Sequence, residues 1–449
     1  MWGKDTLITD YGAVGDGSAL CTQAIQKAID ECSESGGGKV IVPQGTFLSG
    51  TIFLRSHTEL HLERGSRILG SVRIPEDYPV LALINADGIE DCAISGPGAI
   101  DGQSDDPLYR EMFGRGLNDE RRPFLVLFKD CRNISVKDVH LERAGNWTLR
   151  FLGCDGVLVD GVTIFSLTQP NNDGIDIEAR NVRISNCLIS SDDDGICLKN
   201  DRPDFTTEHV TVTNCVIASN CNPIKLGTTS YNGFRNIVFS NCVIRPAQQS
   251  NVWDWSSEYR KLSPGTVTGL SGIAVECVDG GRIENVLFSD IVMEGILTPI
   301  FVCINHRHGT GGSIKDLRFN GITAKAYGVI PCLITGAKDA PVDGVTLRDI
   351  TVEQEGGEDA MGGKLPDDVN GYPENRMFGK RNPAGGLYIR HAKNITVDNF
   401  RVSHRGIDHR PTVVLEDVEG FALRRLSVKR TDNLMFVSTD GCSDIDLDF

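Results

Sequence analysis

Short stretches that alternate apolar and polar residues run along most of the chain, separated by polar turns, and one phrase keeps returning. It reads NISVKDVHL from Asn133, GVLVDGVTI from Gly156, NVRISNCLI from Asn181, HVTVTNCVI from His209 and NIVFSNCVI from Asn236. It continues as NVLFSDIVM from Asn285, DLRFNGITA from Asp316, GVTLRDITV from Gly344, NITVDNFRV from Asn394 and GFALRRLSV from Gly420. Period-two alternation in pieces this short predicts half-buried strands. Successive phrases begin 23–31 residues apart, except for two steps of 49 and 50, each of which hides a further coil or a large insertion.

A period of roughly 25 residues built from strands and turns is the signature of a β-solenoid; propeller blades are longer, at about 40–50. Asn, Asp or Gly at the sixth place of the phrase supplies the corner, because these residues tolerate left-handed backbone. Upstream, TQAIQKAIDECSES sets Ala24, Ile25, Ala28, Ile29 and Cys32 on one helical face before Gly36, Gly37 and Gly38. An amphipathic helix there covers the open end of a solenoid. The expected fold is all-β: one single-stranded right-handed parallel β-helix domain over residues 1–449, with residues 1–85 forming the capping helix and first coils. Residues 86–449 form the main solenoid, interrupted by inserted loops at 103–122, 245–265 and 355–386. Insertions that leave a solenoid tend to lie on one face and wall a groove.

Composition narrows the function classes. A net charge of −16 disfavours nucleic acid and anionic membranes as partners. No apolar run approaches the ~20 residues needed to span a bilayer. The start, MWGKDTLITDYG, has no basic segment followed by an apolar one, so no signal peptide is expected in it. The fourteen cysteines include no CxxC pair, and Cys187, Cys215 and Cys242 recur at one place in the repeat. They are expected to be packed free thiols rather than disulfides or metal ligands.

Two consecutive coils hold more carboxylates than turns require. PNNDGIDIE carries Asp173, Asp176 and Glu178, and SDDDGICLK carries Asp192, Asp193, Asp194 and Lys199. Asp173 and Asp194 each precede a Gly-Ile pair, so they occupy equivalent places and should stack one strand spacing apart, with Asp193 alongside. Crowded carboxylates cannot all ionise cheaply, so at least one pKa should rise. A protonated acid beside ionised bases is the equipment of glycosidic hydrolysis. The residues alone leave two other readings open: Asp-Gly corners without chemistry, and a calcium site, against which Lys199 argues.

With these motifs in hand, the chain resembles glycoside hydrolase family 28, the polygalacturonase and rhamnogalacturonase-like family, from DYGAVGDGSALCTQAIQKAIDEC to about Gly420. Asn171-Asn172-Asp173 is similar to the family's Asn-Thr-Asp motif, with Asn172 in place of Thr. Asp193-Asp194 matches its Asp-Asp motif, with Asp192 in place of the preceding Gly. The resemblance implies that Asp193 is the general acid and that Asp173 and Asp194 hold the attacking water. It also implies inversion without a metal or other cofactor, with acid and base carboxyls ~6.5–9.5 Å apart. Asn171 is then a substrate-binding candidate, as is Lys199. The family's Gly-His-Gly motif falls on Cys221-Asn222-Pro223, so Asn222 replaces its histidine. Its Arg-Ile-Lys motif falls on Ala274-Val275-Glu276, and the Arg and Lys are the residues expected to hold a galacturonate carboxylate. Ala274 offers that carboxylate nothing and Glu276 repels it. Lys225 is the nearby residue able to restore positive charge. The implied activity is hydrolysis of a pectin-related glycan other than ordinary polygalacturonan, with a neutral sugar such as rhamnose at that subsite.

Trp253, Trp255 and Tyr259 lie in one insertion, where they either offer platforms for sugar rings or pin the insertion to the solenoid. Trp147 lies just before the aspartate coils and could line the same cleft, or sit in the core. His306, Arg307 and His308 fall at one turn, and Arg390 and His391 at another, without a third ligand at metal spacing. Two further function classes compete with the hydrolase: a polysaccharide lyase on the same scaffold, and a non-catalytic glycan-binding solenoid. Calcium dependence with an unsaturated product would mark the first, and glycan retention without bond cleavage the second. The sequence assigns neither sugar, linkage, endo or exo action, nor oligomeric state.

Overall fold

The computed structural model describes residues 5–113, 120–247, 269–357, 365, 372–378, 382–429 and 436–448. Two compact units divide at Ile196 and Cys197, and each consists of strands paired in parallel from coil to coil, a right-handed parallel β-helix. In the first unit the inward positions form a line through Val40, Leu60, Ile94, Val136, Val159 and Ile184, each the register partner of the next. All six are buried. The second unit has its counterpart in Val212, Phe239, Phe288, Phe319, Leu347, Val397 and Leu423. There the rings of Phe239 and Phe288 stack at 5.5 Å, and those of Phe288 and Phe319 at 5.1 Å. Period-two alternation thus becomes a ladder of like side chains one strand spacing apart.

The corners follow the repeat closely. Asp138, Asn186, Asn214, Asn241, Asp290, Asp349 and Asn399 at the sixth place all have φ between 52° and 60°, and Gly161 and Gly321 lie at 67° and 65°. Even Arg425, at the same place in the last phrase, is held at 56°. The first place is also left-handed, from Asn133 at 52° to Gly420 at 75°, and it includes His209 at 57°. Both long steps are insertions and not hidden coils, because Phe239 pairs directly with Phe288 and Leu347 directly with Val397.

At the N-terminus the helix Thr22–Glu34 buries Ile25, Ala28, Ile29 and Cys32, as the apolar spacing predicts, and lies against the first strands. The cysteines are all free, and all but Cys442 are buried. Burial pushes Cys92, Cys277, Cys303 and Cys332 up to about 12, so these thiols pack as small apolar groups.

The insertions differ in what they do. Within 103–122 the helix Pro107–Phe113 buries Tyr109 and Phe113. Within 355–386 described residues pack on the second unit's sheet. Leu365, Ala384 and the following Tyr388 join Leu270, Ala274, Phe301 and Leu333 in one apolar cluster. Asn375 Nδ2 donates to the Leu270 carbonyl at 2.7 Å and to Thr298 Oγ1 at 2.9 Å. Tyr372 Oη lies 3.3 Å from Thr228 Oγ1.

Candidate active site

Three polar turns of the first unit stack on successive coils. The Thr148 amide donates to the Asp173 carbonyl at 2.9 Å and the Leu149 amide to Gly174 at 3.1 Å. One coil further, Gly174 donates to the Asp194 carbonyl and Ile175 to Gly195, each at 2.9 Å. Thr148, Asp173 and Asp194 therefore stand in line, which puts Asp193 in line with Asn172 and Trp147. The stacking expected from the paired Asp-Gly-Ile sequences is present. The approach is tight: a Cβ on Gly174 would lie 2.5 Å from the Gly195 carbonyl oxygen and 2.7 Å from Ile189 Cγ2. Asp173 and Asp194 keep 2% of their surface exposed and Asp193 keeps 6%, so the three are nearly enclosed.

Several hydrogen bonds set the shape of these turns. Asn172 is fully buried, and its Oδ1 accepts the amides of both Asp192 and Asp193 at 3.1 Å. The Asp194 amide donates to Asp193 Oδ1 at 2.8 Å. Ser191 Oγ lies 3.0 Å from the carbonyls of both Asp193 and Asp194. On the preceding turn Asn171 is left-handed, φ 55°, and its Oδ1 accepts from Arg122 Nη2 at 2.9 Å. Arg122 is buried at the end of the first insertion and also donates to the carbonyls of Gly145, at 2.8 Å, and Pro170. Gln169 Nε2 ties the same turn to the Ser104 carbonyl at 2.9 Å. Sequence reading missed Arg122, Ser191 and Gln169, and no local pattern marks them, since Arg122 acts across 49 residues.

The remaining candidates of the first unit lie close by. Asp176 and Glu178 are fully buried in the strand Ile175–Ser185, and Asp176 is the register partner of Arg150. The Arg150 guanidinium sits 4.3 Å from the centre of the Trp147 ring, which is half-buried and tilted against Phe124 at 5.7 Å. Trp147 is thus packed between a cation and a ring.

In the second unit, Lys199 and Asn222 are buried, and Asn222 Nδ2 lies 3.3 Å from Cys221 Sγ. Lys225 and Ala274 are register partners on adjacent strands, and Ala274 is closed within the apolar cluster. Lys225 Nζ stands 3.7 Å from Glu276 Oε2, with side chains 5% and 0% exposed, so each charge answers the other. Arg307 grips Asp279 with two hydrogen bonds, at 3.0 and 2.6 Å, and His308 Nδ1 is 3.5 Å from the same carboxylate. His306 pairs with Asp339 at 2.9 Å and His391 with Asp417 at 2.7 Å, while Arg390 Nη1 donates to the Leu365 carbonyl at 2.9 Å. Trp253, Trp255 and Tyr259 lie outside the described residues.

The pattern of glycosyl hydrolases family 28 matches residues 32–249. A probable polygalacturonase of Vitis vinifera is 31% identical over 217 residues, 43% of this chain and 44% of the relative. A plasmin and fibronectin-binding protein A of Streptococcus pneumoniae is 31% identical over 203 residues, 40% of this chain and 27% of that protein. The aligned stretch thus spans less than half the length of either relative. Among solved structures, a hyperthermoactive exopolygalacturonase from Thermotoga maritima superposes with a TM-score of 0.64 at 22% identity. That alignment covers 95% of this chain and 92% of the other, and it supports the fold.

Proposed function

We propose, since the pattern of glycosyl hydrolases family 28 matches residues 32–249, that this chain is a hydrolase of that kind and cleaves glycosidic bonds in pectin-related polysaccharides or oligosaccharides. The observation that carries this reading is the hydrogen bond from the Gly174 amide to the Asp194 carbonyl, because it stacks the coil of Asp173 on that of Asp193 and Asp194. Asp193 protonates the glycosidic oxygen as the bond to the anomeric carbon breaks. Asp173 and Asp194 hold the water that adds to that carbon from the opposite face, and one of them takes its proton. The product is inverted at the anomeric centre.

The substrate differs from ordinary polygalacturonan at one sugar. The positions that correspond by motif to the family's Arg and Lys are Ala274, enclosed by apolar side chains, and Glu276, already facing Lys225. A uronate carboxylate brought to such a pair meets no uncompensated cation, and it would have to displace Glu276 from Lys225 to gain one. A neutral sugar carries no charge to be desolvated there. Incubation with a panel of pectic oligosaccharides, rhamnogalacturonan and neutral side chains included, with products followed by proton NMR, tests both statements. Cleavage of a neutral-sugar linkage with inversion is expected. Faster cleavage of plain oligogalacturonates, or retention of configuration, would overturn the corresponding part.

A second reading is a non-catalytic, glycan-binding solenoid; what supports its non-catalytic part is a relative named for binding plasmin and fibronectin and not for cleaving a glycan. It predicts retention of the same oligosaccharides with no reducing-end release.

A further inference from the structure

We infer that Asn172 is the positioning residue of the acid turn, and that its side-chain oxygen sets the placement of Asp193 by holding the two backbone amides of Asp192 and Asp193. The inference rests on the reading of Asp193 as general acid. Asn172 Oδ1 accepts both amides at 3.1 Å across the coil interface, from a side chain with no exposed surface. Both partners are N–H donors, so only the oxygen end of the amide can face them, and the orientation of Asn172 is fixed by that geometry. The nitrogen end is buried and finds no hydrogen-bond partner among the described residues. A buried amide donor without a partner lowers stability. The asparagine therefore brings the fold a cost at one end and a grip on the next turn at the other.

That grip reaches the acid in two steps. Asn172 holds the Asp193 amide, and the Asp193 carboxyl in turn receives the amide of Asp194 at 2.8 Å. The Asp194 carbonyl takes the Gly174 amide from the turn that carries Asp173. A closed circuit thus runs from the Asp173 turn to the acid and back, and Asn172 supplies a side-chain link in it between the two coils. The Thr of the family pattern would also present an oxygen acceptor, from a shorter side chain and without the unpartnered nitrogen.

The test compares Asn172→Ala, Asn172→Thr and Asp193→Asn in the full chain, on whichever pectic oligosaccharide the wild type cleaves. For Asn172→Ala, kcat is expected to fall about 10- to 100-fold with KM within twofold, the size of effect that misplacing a catalytic group produces. The alkaline limb of the kcat–pH profile should move upward, because the Asp194 amide, whose hydrogen bond favours the ionised form of Asp193, is no longer held in place. Asn172→Thr should recover most of the lost kcat. A merely structural residue would lower thermal stability and leave the pH profile of the folded fraction where it was. An Asn172→Ala enzyme with wild-type kcat, or with an unmoved profile, overturns the inference. Wild-type turnover by Asp193→Asn overturns the reading beneath it instead, so the two failures are told apart.

Discussion

Lys225 and Glu276 sit 3.7 Å apart on adjacent strands, with almost no exposed surface between them. Removing either charge takes from the other an opposite charge in a buried setting. Lys225→Met and Glu276→Leu are each expected to cost about 3–5 kcal/mol, while the double variant should return close to wild type. Urea unfolding of the four proteins measures this, and additive losses would show that the two charges do not answer each other. The pair was half legible in the sequence. Glu276 could be placed against the family's lysine, but the direction of Lys225 could not be read, because an insertion of unknown path separates the two positions. Ala274 is explained only by long-range packing: its neighbours Leu365, Ala384 and Tyr388 come from far along the chain. The Asp173–Asp194 stack was legible for the opposite reason, since each aspartate precedes the same Gly-Ile pair and coil equivalence needs no long-range information.

At the scale of the coil, the corners show how local chemistry fixes the repeat. The first and sixth places of every phrase are left-handed, whatever residue occupies them, so the geometry belongs to the coil and Asn, Asp and Gly are the residues that meet it at least strain. His209 holds φ 57° without that tolerance, and its ring nitrogen lies 3.2 Å from Asn236 Nδ2. Asn at 209 would keep a side-chain acceptor there and relieve the backbone. His209→Asn is therefore expected to raise stability by up to about 1 kcal/mol, read as a higher midpoint in thermal unfolding with no change in activity. A lower midpoint would mean that the imidazole contact outweighs the strain. Insertions were the harder part to read. Their boundaries show as breaks in the rhythm, but their fold depends on which coil face each meets, as with Leu365 and Ala384, which join the apolar cluster of Ala274, Phe301 and Leu333.

Across the whole molecule, the acidic balance of −16 makes its response to pH a test of where paired carboxylates matter. Asp408 is one such group. Burial acts to raise its pKa, but hydrogen bonds and charge from Arg410, with the amides of Gly357 and Arg410, outweigh burial and hold it below the ordinary carboxylate value. A depressed folded-state pKa contributes stability that is full above the unfolded value of 3.8 and is lost as pH falls through the folded one. Asp408→Asn should lower stability at neutral pH and flatten its dependence on pH below 4, followed by urea midpoints between pH 2.5 and 7. An unchanged acid limb in the variant would place the sensitivity elsewhere.

On the proposed reading, the stacked turns of the first unit make Asp193 a proton donor to a glycosidic oxygen. Reducing-end release from pectic oligosaccharides by wild type and Asp193→Asn, with thermal unfolding of both, tests it most directly. A loss of about 100- to 10,000-fold in turnover is expected, the range for a general acid, with an unfolding midpoint nearly unchanged. Turnover at the wild-type level in a folded Asp193→Asn enzyme would contradict it.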